Sequence, residues 1–399
     1  MTNKLTLDAN TRLNNLVAPY TAHAPAVAIA VYQHGELMLE KTWGQIDPDS
    51  GRIPVLHETR FDLASLTKLF TTSAFLTLVS EGRTTLDTPL AAVVPEFGAS
   101  GPRPIDGGMD PHSKQPLPTP DDRRNQTVDP AAVTFRHLLT HTSGLAPWRD
   151  VFNAAGPAPT PPTKPDPIPR ETRWARALDA LCGYPFVSMP DGVVRYSDLG
   201  LMLLGEATAR LHGGPLDAAI KARVLEPLGT TTAGFNPVRD GHVPLQHTVP
   251  TEDDPKWRQR RVWGEVHDEN ACGVGGVAGH AGLFANAADV AKLGQAWLDG
   301  TLAIAPEIAR EAVSEQAVTG NERRGLGWML KSAENSSAGD RFSADSFGHT
   351  GFTGTSLWVD PEARLVIALL TNGVYEGRAL MNPLPFRRAV NSLIAAALA

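Results

Sequence analysis

Cysteine is nearly missing from this chain: Cys182 and Cys272 are the only two in 399 residues. Two thiols build no disulfide framework, and unaided they cannot complete a four-ligand structural zinc site. Long apolar runs are missing too. No stretch reaches the ~18 apolar residues of a membrane span. The first twenty residues, MTNKLTLDANTRLNNLVAPY, are interrupted by Asp8, Asn10 and Asn14, so no export signal is read and a cytoplasmic location is expected. An excess of positive charge is absent as well. The formal net charge is -7 and no dense Lys/Arg block occurs, which predicts neither a nucleic-acid nor a membrane partner. Arg258, Arg260 and Arg261, between Trp257 and Trp263, read as a solvated surface turn. No internal repeat is found.

At 399 residues with 42% hydrophobic content, the chain exceeds one ordinary core, so two lobes or an insertion are expected. Residues 5–19 carry apolar positions at helical spacing. AVAIAVYQ (26–33) reads as a buried strand, His34-Gly35 as a tight turn and ELMLEKTWG as its hairpin partner. From Ser65 the pattern turns helical and stops at Gly82. Further helices are predicted over 134–140, 171–182, 197–212, 215–226 and 287–298. Strands return at 325–330, 354–361 and 364–372, before a final helix. Residues 98–131 and the proline-dense 154–169 read as long surface loops of the lid or binding-loop kind. Strands at both ends around a helical middle predict a sheet assembled from both termini. The expected division is a sheet domain of 1–60 with 321–399, a mostly helical domain of 61–320, and an active site between them.

Ser65-Leu66-Thr67-Lys68 places a hydroxyl and an amine one helical turn apart, so Lys68 can reach Ser65. A serine hydroxyl attacks well only if its proton is taken as it does so. S-x-x-K alone is short enough to occur by chance, as an ordinary helix start with Ser65 near the N-cap. Two further segments follow in order: Tyr196-Ser197-Asp198 where an irregular stretch meets a helix, and His349-Thr350-Gly351 where a strand begins.

These three motifs, with the flanks FDLASLTKLFTT, VTFRHLLTHTSGL and GVGGVAGHAGLFANAADVAKL, resemble the penicillin-recognising serine hydrolases: class C β-lactamases, DD-peptidases and their esterase relatives. The resemblance runs from about residue 25 onward. It implies a mixed α+β fold of the β-lactamase/transpeptidase type, an antiparallel sheet from both chain ends flanked by helices with a large helical insertion. It also implies roles. Ser65 would be the nucleophile and Tyr196 the proton-transferring phenol, with Lys68 the cation beside it. The backbone N–H groups of Ser65 and Phe352 would form the oxyanion hole. Asp198, His349, Thr350 and Gly351 would support the site and bind substrate.

The sequence departs from the family pattern twice. Asp198 stands where the family usually has Asn; its carboxylate only accepts hydrogen bonds and is expected to pair with Lys68, leaving Tyr196 as the main base. His349 stands where penicillin-directed members usually have Lys, and a partly charged histidine anchors a substrate carboxylate poorly. His349, with the absence of an export signal, points toward a small-molecule ester or amide, with a carboxylesterase ahead of a D-amino-acid peptidase or weak β-lactamase using the same residues. An acyltransferase and a non-catalytic binding relative are the remaining alternatives. His267 and Asp268, with Trp148, are further pocket candidates. His267, Asp268, Glu269 and His280 match no zinc signature, and serine chemistry requires no metal or other cofactor. His141 reads as a packing residue.

Overall fold

The computed structural model describes every residue except Met1, Pro48, Ser50, Arg52, His112, Asp191 and Met381. Its framework is an eight-stranded antiparallel sheet. The N-terminal end supplies β1 (Ala26–Gln33) and β2 (Glu36–Gly44). The C-terminal end supplies β3 (Ala317–Thr319), β4 (Glu322–Arg324), β5 (Met329–Leu330), β6 (Phe347–Thr350), β7 (Ser356–Asp360) and β8 (Leu365–Thr371). The order is β3-β4-β5-β6-β7-β8-β1-β2, so β8 joins the two ends of the chain, with Ile29 opposite Leu369. The C-terminal set begins at Ala317, ahead of the 321 boundary read from the sequence.

Alternation along the central strands sorts side chains to two buried clusters. Val27, Ile29, Val31, Leu365, Ile367 and Leu369 share one cluster with Leu13 and Val17 of helix α1 (Leu7–Tyr20) and with Phe386, Val390 and Ile394 of the C-terminal helix. Ala26, Ala28, Ala30, Val366, Ala368 and Leu370 belong to the other. The second face is lined by small residues because a helix, 287–299, lies close against it. At Gly294 of that helix, an added Cβ would come within 2.6 Å of Val366. Beyond it lies α2 (Thr67–Ser80), in which twelve of 14 residues are buried. A helix enclosed on nearly all sides belongs to the middle of a domain, and α2 carries Lys68 there.

Several predicted elements shorten or change. Of 325–330 only Met329–Leu330 pairs, because Gly327 turns the chain at φ 74° with Thr72 against it. The 134–140 helix is the single turn Phe135–Leu139, and 215–226 is an α-helical turn, Leu216–Ile220, loosening into a π-helical one, Lys221–Leu225. Within 98–131, Arg103–Pro104 pairs with Thr127–Val128. Segment 154–169 is pinned by Arg173, which donates to Asp166 (2.9 and 3.0 Å) and to the Pro157 carbonyl (2.8 Å). Among the described residues no helix is long and apolar enough to cross a membrane.

Candidate active site

Ser65 does not open the long helix itself; it sits in the 3-10 turn Ala64–Leu66 that leads into α2. The preceding residue, Ala64, has φ 46°, a left-handed conformation that costs a non-glycine residue on the order of 1 kcal/mol. Surrounding bonds hold it there. The buried Asp62 carboxylate accepts the N–H of Ala64 (2.8 Å) and of His267 (2.6 Å). Thr353 donates to the Asp62 carbonyl (2.8 Å) and Thr355 to that of Leu63 (3.0 Å), stitching the β6–β7 turn onto the Ser65 loop. Gly351 lets the two approach: a Cβ there would meet Thr355 Oγ1 at 2.1 Å and the Leu63 carbonyl at 2.5 Å. Arg387, buried in the C-terminal helix, donates to the Gly351 (2.7 Å) and Thr355 (2.8 Å) carbonyls and fixes the turn from behind.

Two groups converge on Ser65. Lys68 Nζ donates to its hydroxyl oxygen at 2.8 Å, and the Tyr196 phenol does so at 2.8 Å. Lys68 Nζ also lies 2.8 Å from the Asp198 carboxylate and donates to the His280 carbonyl at 3.1 Å. Asp198 is the first residue of α3 (Asp198–His212), whose N-terminus favours a negative charge. Ser197 caps that helix, accepting from Gly200 N–H (3.2 Å) and donating to the Ala146 carbonyl (2.7 Å), which fixes Tyr196 just outside it. His141 does more than pack. Its Nδ1 accepts the Ser197 N–H (3.1 Å), and its ring centroid lies 4.7 Å from that of Tyr196.

Burial works against the Lys68 ammonium, but Asp198 and Tyr196 outweigh it and hold the amine above its ordinary range. For Tyr196, burial raises the phenol, Lys68 lowers it and Asp198 raises it; the net direction is up. The cation expected beside the phenol is present, but it does not overcome burial. His349 lies behind Tyr196, ring centroids 6.0 Å apart, and does not line the cavity. Its Nδ1–H donates to the Thr350 carbonyl at 2.8 Å. Burial, Arg324 and Lys68 push it well below the usual histidine range, so it is neutral rather than partly charged. That corrects the sequence reading of His349 as a weak anchor reached by substrate. Thr350 and Gly351 likewise shape the turn rather than the cavity wall.

The cavity beside Ser65 has a volume of about 240 Å³. Tyr196, Asp198, Phe352, Trp148, His267 and Asp268 are in its wall with Glu269 and His280 of the same segment, and with Pro111 and Arg378, which the sequence did not single out for it. The N–H groups of Ser65 and Phe352 donate to no described residue. His267 donates to Glu252 (2.9 Å), its ring stacked 5.6 Å from that of Phe352, and His280 donates to Asp268 (2.8 Å). Arg378 pairs with Glu252 and, at 3.1 Å, with Glu269, which also holds Lys114 at 3.0 Å. Arg258 is buried, contrary to the solvated turn expected, and donates to the Val266 (3.0 Å) and His267 (2.8 Å) carbonyls, bracing this wall. The ties of Arg378 and Lys114 had no sequence signal beyond charge, because their carboxylate partners are distant in the chain. No residue of 154–169 lines this cavity; Pro111 of the other long loop does. Among the described residues, no group of three or more His, Cys, Asp or Glu side chains is placed to hold a metal ion.

A family model described as Beta-lactamase matches residues 13–389. The chain is 32% identical over 385 residues to Esterase EstB of Burkholderia gladioli, covering 92% of this chain and 90% of the relative. It is 29% identical over 375 residues to an Escherichia coli K12 protein provisionally named a D-alanyl-D-alanine carboxypeptidase, covering 87% and 78%. Among solved structures it resembles EstCE1, titled a hydrolase with promiscuous acyltransferase activity, at TM-score 0.70 and 18% identity, covering 97% and 98%.

Proposed function

The chain belongs to the Beta-lactamase family and is a serine hydrolase of β-lactamase/transpeptidase-like fold; from that premise we propose that it is a carboxylesterase for small, uncharged acyl donors. One observation carries this reading. Among the described residues, each Lys or Arg at the cavity is already held by a carboxylate: Lys68 by Asp198, Arg378 by Glu252 and Glu269, Lys114 by Glu269. His349 is neutral and lies behind Tyr196. A substrate carboxylate, as on β-lactams and D-alanyl peptides, therefore finds no uncommitted cation, while Asp198, Asp268 and Glu269 in the wall repel it. A cavity of about 240 Å³ is below the usual range for drug-sized ligands and suits a short acyl group.

In this mechanism Lys68 stays an ammonium and is not the base. Ser65 Oγ attacks the ester carbonyl carbon as its proton passes to the Tyr196 phenolate, and the carbonyl π pair moves onto oxygen. The N–H groups of Ser65 and Phe352 receive that oxyanion. Collapse expels the alkoxide, which takes the proton from Tyr196. Water then attacks the acyl-Ser65 ester, gives a proton to Tyr196, and Ser65 leaves with it. The esterase name of the 32%-identical relative supports this reading; the name of the 29%-identical one supports a D-amino-acid peptidase instead.

Comparing kcat/KM for p-nitrophenyl acetate, nitrocefin and D-alanyl-p-nitroanilide decides between them. The ester is expected to be turned over fastest by at least about tenfold, a difference of roughly 1.4 kcal/mol in transition-state binding. Anilide or nitrocefin turnover equal to the ester would overturn the proposal.

A further inference from the structure

Two cations approach the Tyr196 ring. Lys68 Nζ is 4.9 Å from its centroid, but it is also 2.8 Å from Asp198, whose charge opposes it at the phenol. The second is Arg324 on β4, its guanidinium carbon 5.4 Å from the same centroid. Arg324 is buried, its side chain 4% exposed, whereas that of its partner Glu322 is 40% exposed. Water screens an exposed carboxylate strongly and a buried guanidinium hardly at all. Arg324 therefore brings a second positive charge to the Tyr196 ring, although its Nε and Nη2 both donate to Glu322. One of its nitrogens, Nη1, is buried without a hydrogen-bond partner among the described residues. Stability alone gives no reason to bury a charge so incompletely satisfied.

The other groups facing Tyr196 do not replace it. His141 and His349 are both held neutral by burial, with Arg324 the largest charge contributing. Asp198 on α3 is negative, and Ser65 is the group to be deprotonated. We infer that Arg324 is a positioning residue for acyl transfer: acting through Tyr196, it supplies a second positive charge, beside that of Lys68, that helps the phenolate form and take the Ser65 proton. A cation facing a ring is favoured by the ring's negative π face, and more so once the ring oxygen carries a charge. The inference rests on the reading of Tyr196 as base given above. It adds a second strand of the sheet, outside all three sequence motifs, to the reaction.

The test follows Ser65 labelling by diisopropyl fluorophosphate across pH, by intact mass, in wild type, Arg324→Gln, Arg324→Lys and Glu322→Gln. Arg324→Gln is expected to move the rising limb of the labelling rate to higher pH, with about a tenfold loss below it, the equivalent of one pH unit. Arg324→Lys restores most of the rate. Glu322→Gln, which leaves the cation uncompensated, moves the limb the opposite way. Because Glu322 is partly exposed, that variant reads the effect even if Arg324→Gln fails to fold. Opposed shifts are not produced by a merely structural role. Profiles that superimpose on wild type, or slower labelling with no movement in pH, overturn the inference while leaving Ser65 and Tyr196 as assigned. Absence of any labelling in wild type removes the reading beneath it and the inference with it.

Discussion

At the scale of the residue, the site turns on which group is charged. Asp198 favours the Lys68 ammonium and disfavours the Tyr196 phenolate. Replacing it with Asn removes one negative charge beside the phenol, so the rising limb of kcat/KM against pH is expected to move to lower pH. A profile that stays in place would show that Asp198 does not act on the base. Because burial holds Tyr196 above the ordinary phenol range, wild-type activity should climb with pH through the alkaline side of neutrality. The convergence of Lys68 and Tyr196 on Ser65 was legible in the sequence because their spacing and order carry the family's motifs. The pairing of Asp198 with Lys68 was legible for the same reason. The neutral state of His349 was not, since it depends on burial and on Arg324, 25 positions away and in no motif. His141 was visible as part of a segment, but its contact with Tyr196 was not.

At the scale of the element, the decisive feature is the stitch between the β6–β7 turn and the Ser65 loop. Gly351 is needed there for closeness, not for backbone freedom, because a side chain would run into Leu63 and Thr355. Gly351→Ala is expected to cost about 1–3 kcal/mol in stability through overpacking. It should also lower kcat by more than tenfold, because the turn carries the Phe352 N–H proposed to receive the oxyanion. Thermal denaturation alongside steady-state kinetics checks both; a variant with normal kcat would mean the turn does not set the oxyanion geometry. The long strands and helices were readable from alternation and helical spacing. The short ones were not: β5 is two residues long and Gly327 turns the chain just before it, so the apolar run 325–330 looked like one strand.

At the scale of the whole molecule, burying two neutral histidines makes stability depend on pH. His141 and His349 both lie well below the ordinary histidine range through burial, whereas unfolded histidines titrate near 6.5. Below that pH the unfolded chain takes up two protons the folded one refuses. Stability is therefore full above about 6.5 and falls by about 2.7 kcal/mol per pH unit beneath it, until the folded-state values are reached. Asp268 and Glu252, held below the carboxylate range despite burial by their partners His280, His267 and Arg378, add a further loss below about pH 4. Calorimetry should show Tm dropping between pH 7 and 5, with a shallower drop in His349→Gln; a constant Tm over that range contradicts the account. The assembly of the sheet from both chain ends was legible in the strand pattern. The charge ties across the cavity wall, Lys114–Glu269–Arg378–Glu252, join residues from separate loops, and only the folded chain brings them together.

The central claim is that acyl transfer passes through Ser65. Intact-mass and peptide-mass analysis of the protein quenched during p-nitrophenyl acetate turnover reads it directly. An acetyl group on Ser65 that disappears as substrate is exhausted, together with loss of turnover in Ser65→Ala by at least about a thousandfold, is the predicted result. Undiminished turnover in Ser65→Ala, or an acetyl group that accumulates on another residue at the rate of turnover, would contradict it.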